Sequence, residues 1–142
     1  LGGELLVKAL PMIEEGTLKP VKQDDEASTY ASMLKKEMGC IDWNMPADKI
    51  ERLVRGLNSW PGAYTFMNGK MLKIWGSAVT DMQAQGEPGT VAGTDKKAIY
   101  VNCKDSVLAL TEVQYEGKKR MPVQAFLLGA RIEEGQKLTA ER

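Results

Sequence analysis

Residues 57–75 read LNSWPGAYTFMNGKMLKIW, and this stretch decides how the chain folds. Ser59-Trp60-Pro61-Gly62 breaks any preceding helix, because Pro61 fixes its own φ and biases Trp60 away from the α region. Residues 63–67 then read as a strand. Asn68-Gly69 is a strong hairpin signal, since both residues tolerate φ > 0, and residues 70–80 return as the second strand. A two-residue loop at 68–69 sets Phe66 opposite Met71 and Tyr64 opposite Lys73. Trp75 follows two residues on, so Tyr64, Phe66, Met71, Lys73 and Trp75 share one face. Aromatics with a lysine suit a nucleobase platform. They also suit one wall of a barrel core with a lysine at its rim, and that core reading is the expectation taken here.

Composition sets the outer bounds. The 142 residues suffice for one domain with an appendage, able to bury its own core. Nineteen bases balance nineteen acids, so bulk charge proposes no partner. The distribution is uneven. Residues 1–30 hold Lys8, Lys19 and Lys22 against six acids, and residues 31–142 hold sixteen bases against thirteen acids. That offset permits a basic surface without requiring one. With no run of eighteen apolar residues and no signal peptide, the expectation is a soluble, cytoplasmic chain without a membrane partner. Cys40 and Cys103 stand apart without metal-ligand spacing and read as reduced thiols. Leu1 is not an initiator methionine, and the opening residues read as the interior of a longer protein.

Two absences narrow the chemistry. The chain has no histidine, which removes Ser-His, Cys-His and most zinc arrangements. It also lacks a Walker loop and GxGxxG. The acids are scattered, so no catalytic, metal or cofactor residues are assigned, and this piece alone is expected to be non-catalytic.

Around the hairpin, residues 1–16 carry Leu5, Leu6, Ala9, Leu10 and Ile13 at helical spacing, with Pro11 expected to kink or divide the helix and Gly16 to end it. Residues 17–28 read as a polar linker, and residues 29–39 as a short helix presenting Lys35 and Lys36. Asn44 is a suitable N-cap for a helix over 46–57, with Ala47, Ile50, Leu53, Val54 and Leu57 on one face and Arg52 and Arg55 on the others. Beyond the hairpin, short runs at 90–93, 98–103 and 107–115 alternate with turns. Residues 116–120, EGKKR, form a loop with three adjacent cations. Pro122 opens a last helix that turns Val123, Phe126, Leu127 and Ala130 inward, and residues 133–142 read as frayed. The fold class is therefore mainly β: a small antiparallel, OB-like Greek-key barrel with flanking helices, preceded by a helix and linker. The expected division is 1–32 and 33–142.

QDDEASTYASMLKKEMGCIDW at 23–43, the hairpin stretch at 57–75, PGTV at 88–91 and GKKRMPVQAFLLGARIEEGQKL at 117–138 together resemble the C-terminal part of methionyl-tRNA formyltransferase. The resemblance covers essentially the whole chain. It implies that residues 1–16 are the last helix of a catalytic domain not contained here, that 17–32 are its linker, and that the barrel's basic side helps hold tRNA. In that family a formyl group passes from 10-formyltetrahydrofolate to the amino group of methionyl-initiator-tRNA, and the folate site and catalytic Asn, His and Asp lie in the N-terminal domain. One departure is Pro122, where the family usually has Ser or another small polar residue; it alters the cap of the last helix.

The candidate tRNA contacts are Lys35, Lys36, Arg52, Arg55, Lys70, Lys73, Lys118, Lys119 and Arg120, engaging phosphates rather than bases. The partners implied are initiator methionyl-tRNA and the catalytic domain. Two alternatives stand beside this: an accessory barrel of a sugar-nucleotide formyltransferase or of formyltetrahydrofolate dehydrogenase, and a purely structural domain.

Overall fold

The computed structural model describes residues 1–141. It resolves into two compact units, Leu1–Ser32 and Met33–Arg142. In the first, helix α1 (Gly2–Glu14) runs through Pro11 without being divided, and Gly16 follows at φ 67°. None of its residues is buried within the described chain; Leu5, Leu6, Leu10 and Ile13 stand exposed along it.

The second unit is built on the hairpin. Asn68 (φ 53°) and Gly69 (φ 71°) both adopt the left-handed region, as a two-residue turn between right-twisted strands requires. They join β1 (Ala63–Met67) to β2 (Lys70–Gln83), with Phe66 opposite Met71 and Tyr64 opposite Lys73, the register expected from the sequence. β3 (Val91–Thr94), β4 (Ile99–Asn102) and β5 (Ser106–Tyr115) form a meander, and β5 returns to lie beside β2. With the short β6 (Met121–Pro122) paired to β5 and a last strand β7 (Leu138–Thr139), the order β3-β4-β5-β2-β1-β7, antiparallel throughout, contains a Greek key.

The two ends of this sheet meet. β7 (Leu138–Thr139) pairs with β1, and the residues before it reach the start of β3. Val91 N–H donates to Gln136 O at 2.9 Å, Gly135 N–H to Val91 O at 2.8 Å and Leu138 N–H to Gly89 O at 2.7 Å. The sheet thus curls into a small barrel. Residues 133–142 are not simply frayed: Leu138 is buried at the seam, while Arg142 lies outside the described residues.

The core gathers Leu72, Ile74, Ile99, Val101, Leu108 and Leu110 from the strands. Helix α2 (Ala47–Gly56) lays Ala47, Ile50 and Val54 against it, and Ile41 and Trp43 fill the remaining side. Thr65 is buried but satisfied, accepting from Trp43 Nε1 at 3.1 Å and donating to Thr139 O at 2.9 Å.

Three local expectations are corrected. Pro46, not Asn44, occupies the α2 N-cap, and Asp105 from the β4–β5 turn supplies the acceptor, taking Ala47 N–H at 3.0 Å. The reason is that Pro46 offers no side-chain oxygen and Asn44 instead bonds Asp42. Of residues 29–39 only a 3₁₀ turn forms, at Lys36–Gly39. Helix α3 (Val123–Leu127), with Pro122 at its N-cap and no side-chain cap, buries Val123 and Phe126 and ends before Ala130.

Candidate nucleic-acid interface

The strands alternate, so the register that buries Ala63, Thr65, Met67, Leu72 and Ile74 turns Tyr64, Phe66, Met71, Lys73 and Trp75 to the outside. The expectation that this aromatic face is a core wall is overturned: all five side chains are half-buried on the barrel's exterior. Lys73 explains the outcome, because a lysine in the middle of a strand face is hard to bury without a partner. Trp75 sits where the β2–β5 register shifts between Ile74 and Gly76. Trp60, next to Pro61 in the preceding loop, is 57% exposed.

A row of neighbours crosses this outer face. Cys40 bridges to Tyr64, Tyr64 lies opposite Lys73, and Lys73 lies opposite Gln114 of β5. The Tyr64 and Phe66 rings meet edge to face at 5.9 Å and 86°. Gln114 Oε1 accepts from Trp75 Nε1 at 3.1 Å, and Gln114 Nε2 donates to Lys118 O at 3.1 Å. Met71 N–H donates to Glu116 Oε2 at 3.0 Å, and Glu116 N–H donates to Met71 O at 2.8 Å. These bonds strap the EGKKR loop to the hairpin.

The strap sets the loop that carries Lys118 and Lys119 beside the face that carries Lys73, while Lys70 opens β2 opposite Met67 on the parity of Leu72 and Ile74; none of the four is in an ion pair among the described residues. Lys35 and Lys36 lie in the segment that reaches β1 through the Cys40–Tyr64 bridge. The turn that carries Lys36 is pressed there so closely that a Cβ on Gly39 would lie 2.2 Å from Gly62 O.

The three arginines behave differently. Arg52 bonds Asp48 and Arg55 bonds Glu51 at 3.2 Å, each one helical turn back along α2. Arg120 bonds Glu112 at 2.5 Å and lays its guanidinium over Trp75, 4.8 Å from the ring centroid. The Arg120 bond holds the Glu112 carboxyl below its ordinary range, and Glu112 raises Arg120 in turn. Desolvation, foremost, holds the Cys40 thiol and the Tyr64 hydroxyl above their usual values. Burial pushes Cys103 up to about 12, which leaves it an inert core thiol. Among the described residues no group of three His, Cys, Asp or Glu side chains is placed to hold a metal ion.

Sequence reasoning missed Glu112 and Gln114, the two side chains that organise this face. Their outward parity on β5 was legible only once the β2–β5 register was known. By fold and exposed chemistry, the second unit is a small antiparallel β-barrel that carries a basic, aromatic face.

Residues 33–131 match the model of the formyl transferase C-terminal domain, and the chain belongs to that family. Over nearly its whole length it is similar to methionyl-tRNA formyltransferases. It is 47% identical over 134 residues to that of Agathobacter rectalis, covering 94% of this chain and 43% of the relative. It is 48% identical over 140 residues to that of Lachnospira eligens, covering 95% of this chain and 44% of the relative. The chain thus spans less than half the length of these curated relatives. Among solved structures, HypX from Aquifex aeolicus in complex with tetrahydrofolic acid is similar with a TM-score of 0.59 and 25% identity, over 89% of this chain and 22% of that one. No helix among the described residues is long and apolar enough to cross a membrane.

Proposed function

We propose that this chain is the tRNA-holding C-terminal module of a methionyl-tRNA formyltransferase. The parent enzyme, acting in the cytoplasm, would move a formyl group from 10-formyltetrahydrofolate to the amino group of methionyl-initiator-tRNA. Its folate site and catalytic groups belong to the upstream domain, with residues 1–32 as the last helix of that domain and the linker. The observation that carries the reading is the strap between hairpin and EGKKR loop, which sets Lys118 and Lys119 beside the exposed face of Lys73, with Lys70 at the start of the same strand and none of the four in an ion pair among the described residues.

Lysines on a phosphate backbone supply affinity that falls with salt and read no sequence. Lys70, Lys73, Lys118 and Lys119 lead the proposal, with Lys35 and Lys36 at its edge. Arg52, Arg55 and Arg120 rank below them, because each already spends its charge on a neighbouring carboxylate. Specificity for initiator tRNA rests with the upstream domain. The test is filter binding of tRNA to the 142-residue chain across a salt series. About four phosphates engaged give a log–log slope of about −3, and serine at Lys118 and Lys119 flattens it and weakens all tRNAs alike. Salt-independent binding, or an unchanged variant, overturns the reading. The second reading is an accessory barrel of a formyltransferase that holds no tRNA, in line with a similar barrel occurring in HypX, which was solved in complex with tetrahydrofolic acid; a chain that binds no tRNA at any salt favours it.

A further inference from the structure

We propose that the outer face of the hairpin stacks an unpaired RNA base against the Trp75–Arg120 pair, with Trp60 at its rim. This rests on the tRNA reading above and adds a second kind of contact to it.

Arg120 is poorly placed to serve a phosphate. Its charge is offset by Glu112 at 2.5 Å, and the same bond fixes the guanidinium in position over the Trp75 indole. What remains available is the plane: the Arg120 side chain is 45% exposed, with one side on the indole. A guanidinium held over an indole extends the π surface outward, and unstacked bases lie on such surfaces regardless of their identity.

The surroundings fit that occupant. Trp75 is itself fixed by its Nε1 bond to Gln114, so the support beneath Arg120 is ordered beforehand. The loop carrying Trp60 is tied to the same strand, since Asn58 Nδ2 donates to Trp75 O at 3.3 Å. Lys73 lies two residues before Trp75 on the same face, and the Lys118 carbonyl accepts from the Gln114 side chain that holds Trp75, which places two cations near the pair for the phosphates next to a stacked base. A merely structural cover for Trp75 would need none of these unpaired cations.

The test compares two probes on the full chain: a twelve-nucleotide single-stranded oligouridine and a twelve-base-pair RNA duplex. Because Trp43 is buried and bonded to Thr65, quenching by the single strand reports Trp60 and Trp75. The proposal expects quenching by the single strand but not the duplex. Arg120→Lys, which keeps the charge and removes the plane, should weaken the single strand by about 5- to 100-fold. Duplex binding and the salt slope should stay unchanged, which also reports that the variant is folded. Equal weakening of both probes, or none, overturns the stacking while leaving the phosphate reading in place. Failure of the unaltered chain to bind either probe overturns both.

Discussion

The two faces of the β1–β2 hairpin differ in a way opposite to simple hydrophobicity. The inner face carries Ala63, Thr65, Met67, Leu72 and Ile74 and is buried; the outer face carries the larger Tyr64, Phe66, Met71 and Trp75 and stays half-exposed around Lys73. Burial here follows what stands opposite. The inner face meets the apolar stripe of α2 and the β4 and β5 side chains, and Thr65 is tolerated because Trp43 and Thr139 satisfy it. Among the described residues the outer face meets the 3₁₀ turn, the loop that carries Asn58, and the EGKKR loop, and its aromatics stay half-exposed.

The contrast can be broken most forcefully from inside. Leu72→Ala should destabilise the barrel by about 2–5 kcal/mol in urea denaturation, because Leu72 is fully buried, whereas Met71→Ala next to it should change stability far less. Equal losses would erase the distinction between the faces. Gly69→Val tests the register that assigns them. A β-branched residue at φ 71° is strained, and a loss of about 1 kcal/mol or more is expected; an unchanged urea midpoint would mean that the turn does not set the pairing.

Asp105 anchors the helix that covers the inner face. Its carboxyl lies below the ordinary range, first because Ala47 N–H bonds it. A depressed folded pKa contributes stability above the unfolded value of about 4, lost as pH falls through the folded value. Asp105→Asn should therefore lower the urea midpoint at neutral pH and reduce its fall between neutral and acidic pH. A parallel profile would show that the bond is unimportant. The smallest effect belongs to Trp60→Ala, which should stay within about 0.5 kcal/mol because the ring is exposed. A large loss there would place the ring in the fold after all.

The hairpin and the barrel class were legible because Asn68-Gly69 fixes a turn and the strand runs are short and evenly spaced. Turn chemistry sets the register but not which parity faces inward. Lys73 was the local signal for the outward choice, outweighed in the sequence reading by four large apolar neighbours. The α2 cap escaped because Asp105 lies 58 residues from Ala47 in sequence. The seam that draws in residues 135–138 is made of backbone bonds, which no side-chain pattern announces. The nine cations were all visible, but their ion pairing was not. Only the i, i+4 spacing of Asp48–Arg52 and Glu51–Arg55 hinted at it, whereas Glu112–Arg120 depends on the β5–loop geometry.

The central claim is that the exterior of the hairpin, together with the loop strapped to it, is the side that meets tRNA. Lysine acetylation footprinting of the full chain, with and without tRNA, tests it most directly. The account predicts protection at Lys70, Lys73, Lys118 and Lys119, and none at Lys96, Lys97 and Lys104 in the β3–β4 and β4–β5 turns. Protection centred on those turns, or spread evenly over all seven, would contradict it.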